Sequence, residues 1–255
     1  MTSECKRGQM MNSGAIAILD ALGFKGIWDR HRGGVEGVLD KLQRASRYET
    51  TLAPISRKLA PGLSEEVRFL SDTIAIGVGA PENGTAEDVG LAALVAVAAR
   101  VSVLITKMLT DTQGPPLVYR GAVAYGEFVI DGNFLIGPAV DEAASVGRLA
   151  QGGFVYLCPS AVARVPIDTH IPPDIERVMM RYRVPLKGGD RFDTYVVPPV
   201  VRPSNLKTLI AGIHAAFATG GIDVTIKEQN TLAMLKHVTQ WTIDIDTKSA
   251  DRAHV

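Results

Sequence analysis

Apolar and polar positions along this chain follow two different periods, which predict an order of strands and helices. Short apolar runs bounded by turn residues predict strands at 15–22, 66–70, 73–78, 117–130, 134–136, 154–158, 182–185 and 194–197. Apolar residues three or four positions apart predict helices at about 24–48, 89–112, 138–150, 206–217 and 226–241. Residues 50–63, which contain Pro54 and Pro61, are predicted to form a loop. Hairpins mixed with crossover helices indicate an α+β fold with a sheet rich in antiparallel pairs.

The same pattern divides the chain into a folded part and polar ends. We expect a flexible tail at 1–13, one folded domain at 14–198, a helical extension at 199–245 and a second flexible tail at 246–255. Residues 89–109 are apolar for long enough to cross a bilayer. Arg100 at the centre of that segment and Lys107 near its end favour a helix buried against the sheet over a membrane span.

Composition adds bounds on compartment and partners. Lys and Arg number 27, and Asp and Glu also number 27, so net charge gives no argument for a nucleic acid or membrane partner. The two cysteines, Cys5 and Cys158, form no disulfide framework and no zinc motif. The first dozen residues lack the apolar core of a signal peptide. These features predict a cytoplasmic protein.

Two acidic residues mark the candidate chemistry. Asp20 ends the first strand, and Asp72 lies at the turn of the hairpin that follows. Adjacent strands lie roughly 5 Å apart, so the two carboxylates would share divalent cations if those strands pair. The turn at Leu22, Gly23 and Phe24 would then offer backbone N–H groups to a polyphosphate. The alternative for Asp20 is the common role of a strand-end carboxylate that caps a helix.

Five short stretches follow one another along the chain: ILDALGF at 18–24, SD at 71–72, RGAVAYGE at 120–127, GPAVDEAA at 137–144 and LKG at 186–188. In this order they are similar to motifs of the class III nucleotidyl cyclases. The resemblance covers residues 15–198. It implies a ferredoxin-like class III cyclase core, βαββαβ plus extra strands, which the C-terminal helices then follow.

The resemblance implies a reaction and a metal site. The ribose 3′-OH of a nucleoside triphosphate attacks the α-phosphate, and pyrophosphate leaves, with two Mg²⁺ or Mn²⁺ ions at each active site. Asp20 and Asp72 would bind these metals, assisted by the carbonyl of Ala21. The family works as a head-to-tail homodimer, in which the second subunit supplies the base pocket and the residues that stabilise the transition state.

The resemblance also assigns phosphate contacts, and it fails at two positions. The amides of Leu22, Gly23 and Phe24 and the side chain of Lys187 would bind the phosphates. Asp141 stands where the family has an Asn that orients the ribose, and Ser145 stands where it has the transition-state Arg.

Arg148 is our predicted replacement for that Arg. It lies about 4.5 Å up the helix axis and roughly 60° round from Ser145, a gap that a long side chain covers. The alternative is a solvated surface Arg. Asp141 is predicted either to accept a hydrogen bond from a ribose hydroxyl or to pair with Arg148.

Two further positions bear on the base. Arg68 and Phe134 stand at or near the positions that bind adenine in purine cyclases. Arg68 carries only donors, which suit a uracil carbonyl better than the adenine amino group, and Phe134 can stack on a base. Tyr48, at the predicted end of the first helix, would narrow this pocket; the alternative is a core or surface Tyr.

A short cyclase domain with LGFK at 22–25 and SDTI at 71–74 further resembles the pyrimidine cyclases of the bacterial Pycsar antiphage defence systems. That resemblance implies conversion of UTP to cyclic UMP, a second messenger that activates a partner effector. Two alternatives stay open. One is a purine cyclase that makes cyclic AMP, and the other is a catalytically inactive cyclase-like module that binds a nucleotide or a partner.

Overall fold

The structure, a computed structural model, describes residues 12–59, 62–79, 86–132, 134–166, 178–218 and 220–253. Its strands are β1 Asn12–Ala21, β2 Ser64–Leu70, β3 Thr73–Gly79, β4 Tyr119–Asp131, β5 Phe134–Ile136, β6 Val155–Leu157, β7 Met180–Pro185 and β8 Arg191–Val196. Its helices are α1 Ile27–Arg30, α2 Gly34–Leu59, α3 Ala86–Thr110, α4 Pro138–Gly147, α5 Pro159–Val162, α6 Leu206–Phe217 and α7 Ile222–Ala253.

One sheet organises these elements. The strand order is β2-β3-β1-β4-β6-β8-β7, with β5 paired to β4 beside this path. The pairs are antiparallel except β4 with β6, which is parallel. The first four strands, with α2 and α3 packed on one face, form the βαββαβ arrangement of ferredoxin-like folds. The predicted α+β class and core are therefore confirmed.

The central strand β1 is buried on both faces, which explains its unbroken apolar run. Ala17 and Leu19 pack towards α3, whereas Ile16 packs towards α4. Because side chains alternate along a strand, Asp20 lies on the α4 face.

The N-terminal helices differ from the prediction. The predicted helix at 24–48 divides into α1 and α2, and Gly34 begins α2 with φ +56°. The predicted loop at 50–63 is wrong for 50–59, because α2 continues to Leu59. Pro54 lacks an N–H and favours a break, but Ala, Leu, Arg and Lys around it are good helix formers.

Both predicted tails are also corrected in part. β1 begins at Asn12, which pairs with Phe128, so Asn12 and Ser13 belong to the sheet. Residues 1–11 lie outside the described residues. At the other end α7 is helical as far as Ala253, although 246–255 was predicted to be a flexible tail. The domain boundaries themselves stay a prediction.

Helix α3 packs inside the protein. Among the described residues one segment, Gly90–Thr110, is long and apolar enough to cross a membrane, with a mean hydropathy of 1.9, and most of it is buried. Arg100 Nη1 lies 2.5 Å from Glu65 Oε2 on β2, and both side chains are less than a tenth exposed. This contact places Arg100 against the edge of the sheet, as the sequence predicted for a core helix.

Candidate active site

The two predicted metal ligands lie at the same end of the sheet. β1 and β3 pair antiparallel, with Asp20 opposite Thr73. The N–H of Ala21 donates to the backbone carbonyl of Asp72 at 3.0 Å. Ser71, in the hairpin turn, has a left-handed backbone conformation with φ 60°. The strand pairing that the metal prediction required is therefore present.

A buried tyrosine, Tyr119, packs on the α3 face of the sheet, opposite the face that carries Asp20. The hydroxyl of Tyr119 is buried and has no hydrogen-bond partner among the described residues. Burial raises the pKa of Tyr119, and the nearby charges of Asp72 and then Asp20 raise it further. Both carboxylates are thus close to one buried hydroxyl group, which the sequence analysis did not identify.

Arg120 is a second residue that the sequence analysis did not assign to the site. Its Nη2 and Nε lie 3.0 and 3.2 Å from Asp20 Oδ2. Arg120 faces Asp20 directly across β1 and β4, a hundred positions away in sequence. Only the strand register reveals this pairing. Both contacts go to Oδ2, so Asp20 Oδ1 accepts no hydrogen bond from the described residues.

A cavity of about 310 Å³ opens beside Asp20 between the sheet and the end of α4. A Cβ atom on Gly147 would lie 3.0 Å from the backbone of Gly121, so α4 rests directly on β4 there. This close approach brings Arg148, whose Nε donates to the Ala144 carbonyl at 2.9 Å, into the wall of the cavity. The lining residues are Ile18, Asp20, Thr73, Gly121, Ala143, Ala144, Gly147 and Arg148.

This placement of Arg148 differs from the arrangement that the resemblance implied. The family's transition-state residue comes from the second subunit, whereas here Arg148 lines the same cavity as Asp20 of its own chain. Asp141 is not part of that cavity. It is exposed on the first turn of α4, about 10.5 Å along the axis from Arg148. The predicted pairing of Asp141 with Arg148 is therefore not observed, because the two side chains lie two turns apart.

The predicted phosphate-binding turn is formed, but its three backbone N–H groups are not equally available to a ligand. Gly23 has φ +69°, a conformation that favours glycine. The N–H of Leu22 donates to the Val118 carbonyl at 2.8 Å and is used within the fold. The N–H groups of Gly23 and Phe24 donate to no acceptor in the described residues. Arg30 donates a hydrogen bond to the Gly23 carbonyl, which restrains the turn.

Lys187 lies near the cavity. Its N–H donates to the carbonyl of Leu149 at 2.8 Å, next to Arg148. Lys187 is exposed; partial desolvation and the charges of Arg120, Lys227 and Arg148 lower its pKa, and the charge of Asp223 opposes them. The structure therefore brings these cations together at the Asp20 end of the sheet.

The predicted base pocket lies on the same face of the sheet. Arg68 aligns with Ala75 of β3, one side-chain row from Asp20. Its Nε donates to the Gly132 carbonyl at 2.9 Å, just before Phe134, which is 69% exposed.

Glu66 adds an acceptor to this base pocket. Arg68 Nη2 also donates to Glu66 at 2.9 Å. Glu66, two positions before Arg68 and thus on the same face, was missed and adds an acceptor to the pocket.

Tyr48 does not join this group. Helix α2 continues beyond Tyr48, so the residue lies within the helix and not at its end. Its ring lies 5.7 Å from Nζ of Lys107 on α3. Because α2 and α3 cover the opposite face of the sheet, Tyr48 lies away from Arg68 of its own chain, and its predicted role in narrowing the base pocket stays a prediction.

The donor set at the acids fits a hard divalent cation. No group of three or more His, Cys, Asp or Glu side chains suited to a metal exists in the part of the chain that the structure describes. Mg²⁺ needs only one or two carboxylates when substrate phosphates and water complete its octahedron. Asp20 and Asp72 would hold such an ion, with the Ala21 carbonyl as a neighbouring oxygen.

Comparison with known proteins gives structural likeness only. No protein-family model and no curated protein matches the sequence. The catalytic core of a rhodopsin-guanylyl cyclase with converted specificity, solved with ATPαS, is 16% identical with a TM-score of 0.49, over 74% of this chain and 96% of that one. The adenylyl cyclase CyaB from P. aeruginosa is 18% identical with a TM-score of 0.47, over 76% and 97%.

A third solved structure is a class III adenylyl cyclase-like ATP-binding protein from Pseudomonas aeruginosa. It is 12% identical with a TM-score of 0.43, and the match covers 93% of this chain but only 44% of that one. All three are cyclases or cyclase-like proteins that this chain resembles. The identities are too low to transfer a substrate or a residue role to it.

Proposed function

We propose that this protein is a metal-dependent nucleotidyl cyclase that converts UTP to 3′,5′-cyclic UMP and pyrophosphate. The observation that carries the proposal is the convergence of Asp20 and Asp72 with Arg120, Arg148 and Lys187 at one end of the sheet. Paired carboxylates suit a divalent cation, and grouped cations suit the triphosphate that such a cation accompanies.

The proposed reaction is an intramolecular displacement. The 3′-oxygen of the ribose forms a bond to the α-phosphorus, the bond from that phosphorus to the bridging oxygen breaks, and the 3′-OH proton leaves to solvent. Bound Mg²⁺ or Mn²⁺ would neutralise charge on the reacting phosphates. Asp20 and Asp72 would hold the cations, and the Gly23 and Phe24 amides would bind phosphate oxygens.

The cationic side chains of the site stabilise the negative charge that shifts between the phosphates during the reaction. Arg148 lines the cavity beside Asp20, where it would stabilise the charge that builds up on the α-phosphate in the transition state. Lys187 and Arg120 receive the departing pyrophosphate. Asp20 occupies two of the donors of Arg120, and the guanidinium retains others for phosphate oxygens.

Base choice is proposed to depend on Arg68 and Glu66. Uracil presents two carbonyl acceptors and one N–H, so a paired donor and acceptor fit its edge. Glu66 would also accept from the amino group of cytosine or adenine, which makes CTP and ATP the substrates to compare with UTP. Phe134, exposed beside this pair, would stack on the base.

The biological setting rests on the resemblance alone. We propose a cytoplasmic homodimer whose cyclic UMP activates a partner effector in antiphage defence. The exposed Phe134 and Ile136 on the β5 arm are in keeping with self-association. Light scattering of the purified chain should then give a dimer mass.

One assay tests the chemistry and the base. Purified protein is incubated with Mn²⁺ and each of ATP, GTP, CTP and UTP, and products are identified by mass spectrometry. We expect cyclic UMP as the main product. Cyclic AMP as the main product would overturn the pyrimidine assignment. In the same assay Arg68→Ala should change the ratio among products more than it changes Mn²⁺ affinity.

The second candidate function is a catalytically inactive module that binds a nucleotide. The replacement of the family's Asn and Arg by Asp141 and Ser145, and the ion pair between Arg120 and Asp20, favour it. Nucleotide binding without a cyclic product from any of the four substrates, with phage-infected cell extract added as a source of activator, would support this candidate.

A further inference from the structure

The start of the C-terminal helix α7 is attached to the candidate site. Gln151 Nε2 donates to Asp223 Oδ1 at 2.9 Å, and Asn230 Nδ2 donates to the Gln151 carbonyl at 2.6 Å. The N–H of Gly153 donates to Thr231 Oγ1 at 2.8 Å. The first turns of α7 are therefore bonded to the segment that follows Arg148.

The same segment is bonded to the turn that carries Lys187. The N–H of Gln151 donates to the Pro185 carbonyl at 2.9 Å, and the N–H of Lys187 donates to the Leu149 carbonyl at 2.8 Å. Residues 148–153, the β7–β8 turn and the start of α7 thus form one hydrogen-bonded unit. Side chains on α7 at this end are held at a set position relative to Lys187.

Lys227 is such a side chain. It lies one helical turn after Asp223, and its Nζ forms an ion pair with that carboxylate. The Lys227 side chain is only 17% exposed, whereas that of Asp223 is 64% exposed. Asp223 is also bound by Gln151, so the ammonium group is restrained by a carboxylate that is itself anchored.

Charge at this edge of the sheet is unbalanced. Two described ion pairs match Arg120 with Asp20 and Lys227 with Asp223. Lys187 has no ion pair among the described residues, and Arg148 uses its Nε on a backbone carbonyl. A gathering of cations that outnumbers its local anions costs free energy unless an anion with several charges joins it.

We propose that Lys227, in the C-terminal extension, is a further phosphate-binding residue of this site and contacts the β- and γ-phosphates together with Lys187. Asp223 acts through Lys227 and is a positioning residue. The inference rests on the proposed function for the identity of its ligand, a nucleoside triphosphate and the pyrophosphate that leaves. It makes α7, which lies outside the region that resembles the cyclases, part of the substrate site.

Binding of inorganic pyrophosphate tests the inference without turnover. The full chain is titrated with pyrophosphate and Mg²⁺ in a calorimeter, as wild type and as Lys187→Gln, Lys227→Gln and Lys227→Arg. We expect Lys227→Gln to raise the Kd about tenfold, the size of one charge-assisted contact. Lys227→Arg should bind within about twofold of the wild type. Lys236→Gln, an exposed position on the same helix, is the matched control and should change nothing.

Kinetics add a readout that a structural role would not move. Loss of a contact made equally to substrate and transition state raises KM and leaves kcat unchanged, and this is the split we expect for Lys227→Gln. Asp223→Asn should have the same sign and a smaller size, because the lysine remains. Thermal unfolding of each variant shows whether it is folded, and Asp223→Asn, at an exposed position, keeps the inference testable if Lys227→Gln does not fold.

The possible results separate this inference from the proposed function. If Lys187→Gln weakens pyrophosphate binding and Lys227→Gln does not, the role of Lys227 is overturned and the proposed function stands. If Lys227→Gln weakens binding but no nucleotide gives a cyclic product, the phosphate site stands and the cyclase proposal fails. A wild type that binds no pyrophosphate overturns the inference directly.

Discussion

The two faces of the sheet treat charge in opposite ways. On the α2–α3 face, Arg100 and Glu65 form a buried pair at 2.5 Å, and Nζ of Lys41 donates to the Asp111 carbonyl at 3.0 Å. Each of these buried cations has a fixed partner on a neighbouring element. On the α4 face, Arg120 pairs with Asp20, and Arg148, which lines the same cavity, is exposed.

The contrast indicates which charges belong to the structure and which to a site. In a buried ion pair, the attraction between the two charges offsets the cost of removing them from water. The main effect of each partner is that the other charge is not left buried and unpaired. Cations that line a solvent-exposed cavity, as Arg148 does beside Asp20, suit a ligand of opposite charge. Substitutions on the two faces should therefore have different effects. Those on the α4 face should change activity, and those on the α2–α3 face should change the free energy of unfolding.

The largest expected effect is at Asp20. Asp20→Asn should lower cyclic product formation by at least about a thousandfold, because a neutral amide binds a divalent cation poorly. Mn²⁺ binding, measured by electron paramagnetic resonance of the free ion, should weaken in parallel. The melting temperature should change little, since the side chain is 35% exposed and lies at the end of its strand.

Asp72→Asn should behave like Asp20→Asn, whereas Asp244→Asn, an exposed position on α7, should retain full activity. Retained turnover in either the Asp20 or the Asp72 variant would show that the metal assignment is wrong. Loss of Mn²⁺ binding together with a large drop in melting temperature would show instead that these acids are structural, like the charges of the other face.

The second effect is on the α2–α3 face. Arg100→Met leaves Glu65 charged and buried, which should lower the free energy of unfolding by about 3–5 kcal/mol. Arg100→Met combined with Glu65→Leu should recover most of that loss, because no buried charge remains. Urea denaturation measures both. An equal loss in the single and the double variant would show that the pair itself, and not the orphaned charge, determines stability.

Local patterns in the sequence predicted much of this fold. The β2–β3 hairpin and helix α3 follow from periodicity and turn residues, and they lie where the sequence predicted them. The position of Asp20 beside Asp72 follows from the pairing of neighbouring strands. Pro54 misled the prediction for α2, since a proline inside a helix is tolerated when the rest of the segment stabilises it.

The rest of the site depends on contacts between residues far apart in sequence. The pairing of Arg120 with Asp20 requires the register of β1 against β4, which no local pattern gives. Arg148 reaches the cavity because Gly147 lets α4 rest on β4. Hydrogen bonds from residues 151 and 153 to α7 hold Lys227 near Lys187. Each of these bonds joins residues more than 70 positions apart, so only the folded chain shows the proximity of the two lysines.

The smallest expected effect is a pH dependence of stability that arises from Lys41 on the α2–α3 face. Burial lowers the pKa of Lys41 from its usual 10.5 to about 8, against the opposing charge of Asp111. Between pH 8 and 10.5 the unfolded chain then binds more protons at this residue than the folded chain, so stability should rise with pH in that window.

Below pH 8 the charged Lys41 destabilises the folded protein fully, and this cost disappears as the residue loses its proton. Lys41→Met should therefore remove the rise of the free energy of unfolding with pH, which is worth up to roughly 3 kcal/mol. Urea denaturation at several pH values measures the slope, and Lys207→Met, exposed on α6, is the matched control that should keep the wild-type slope. If Lys41→Met and Lys207→Met keep the same rise, the charge of Lys41 is not linked to folding. The two faces would then differ less than their contacts indicate.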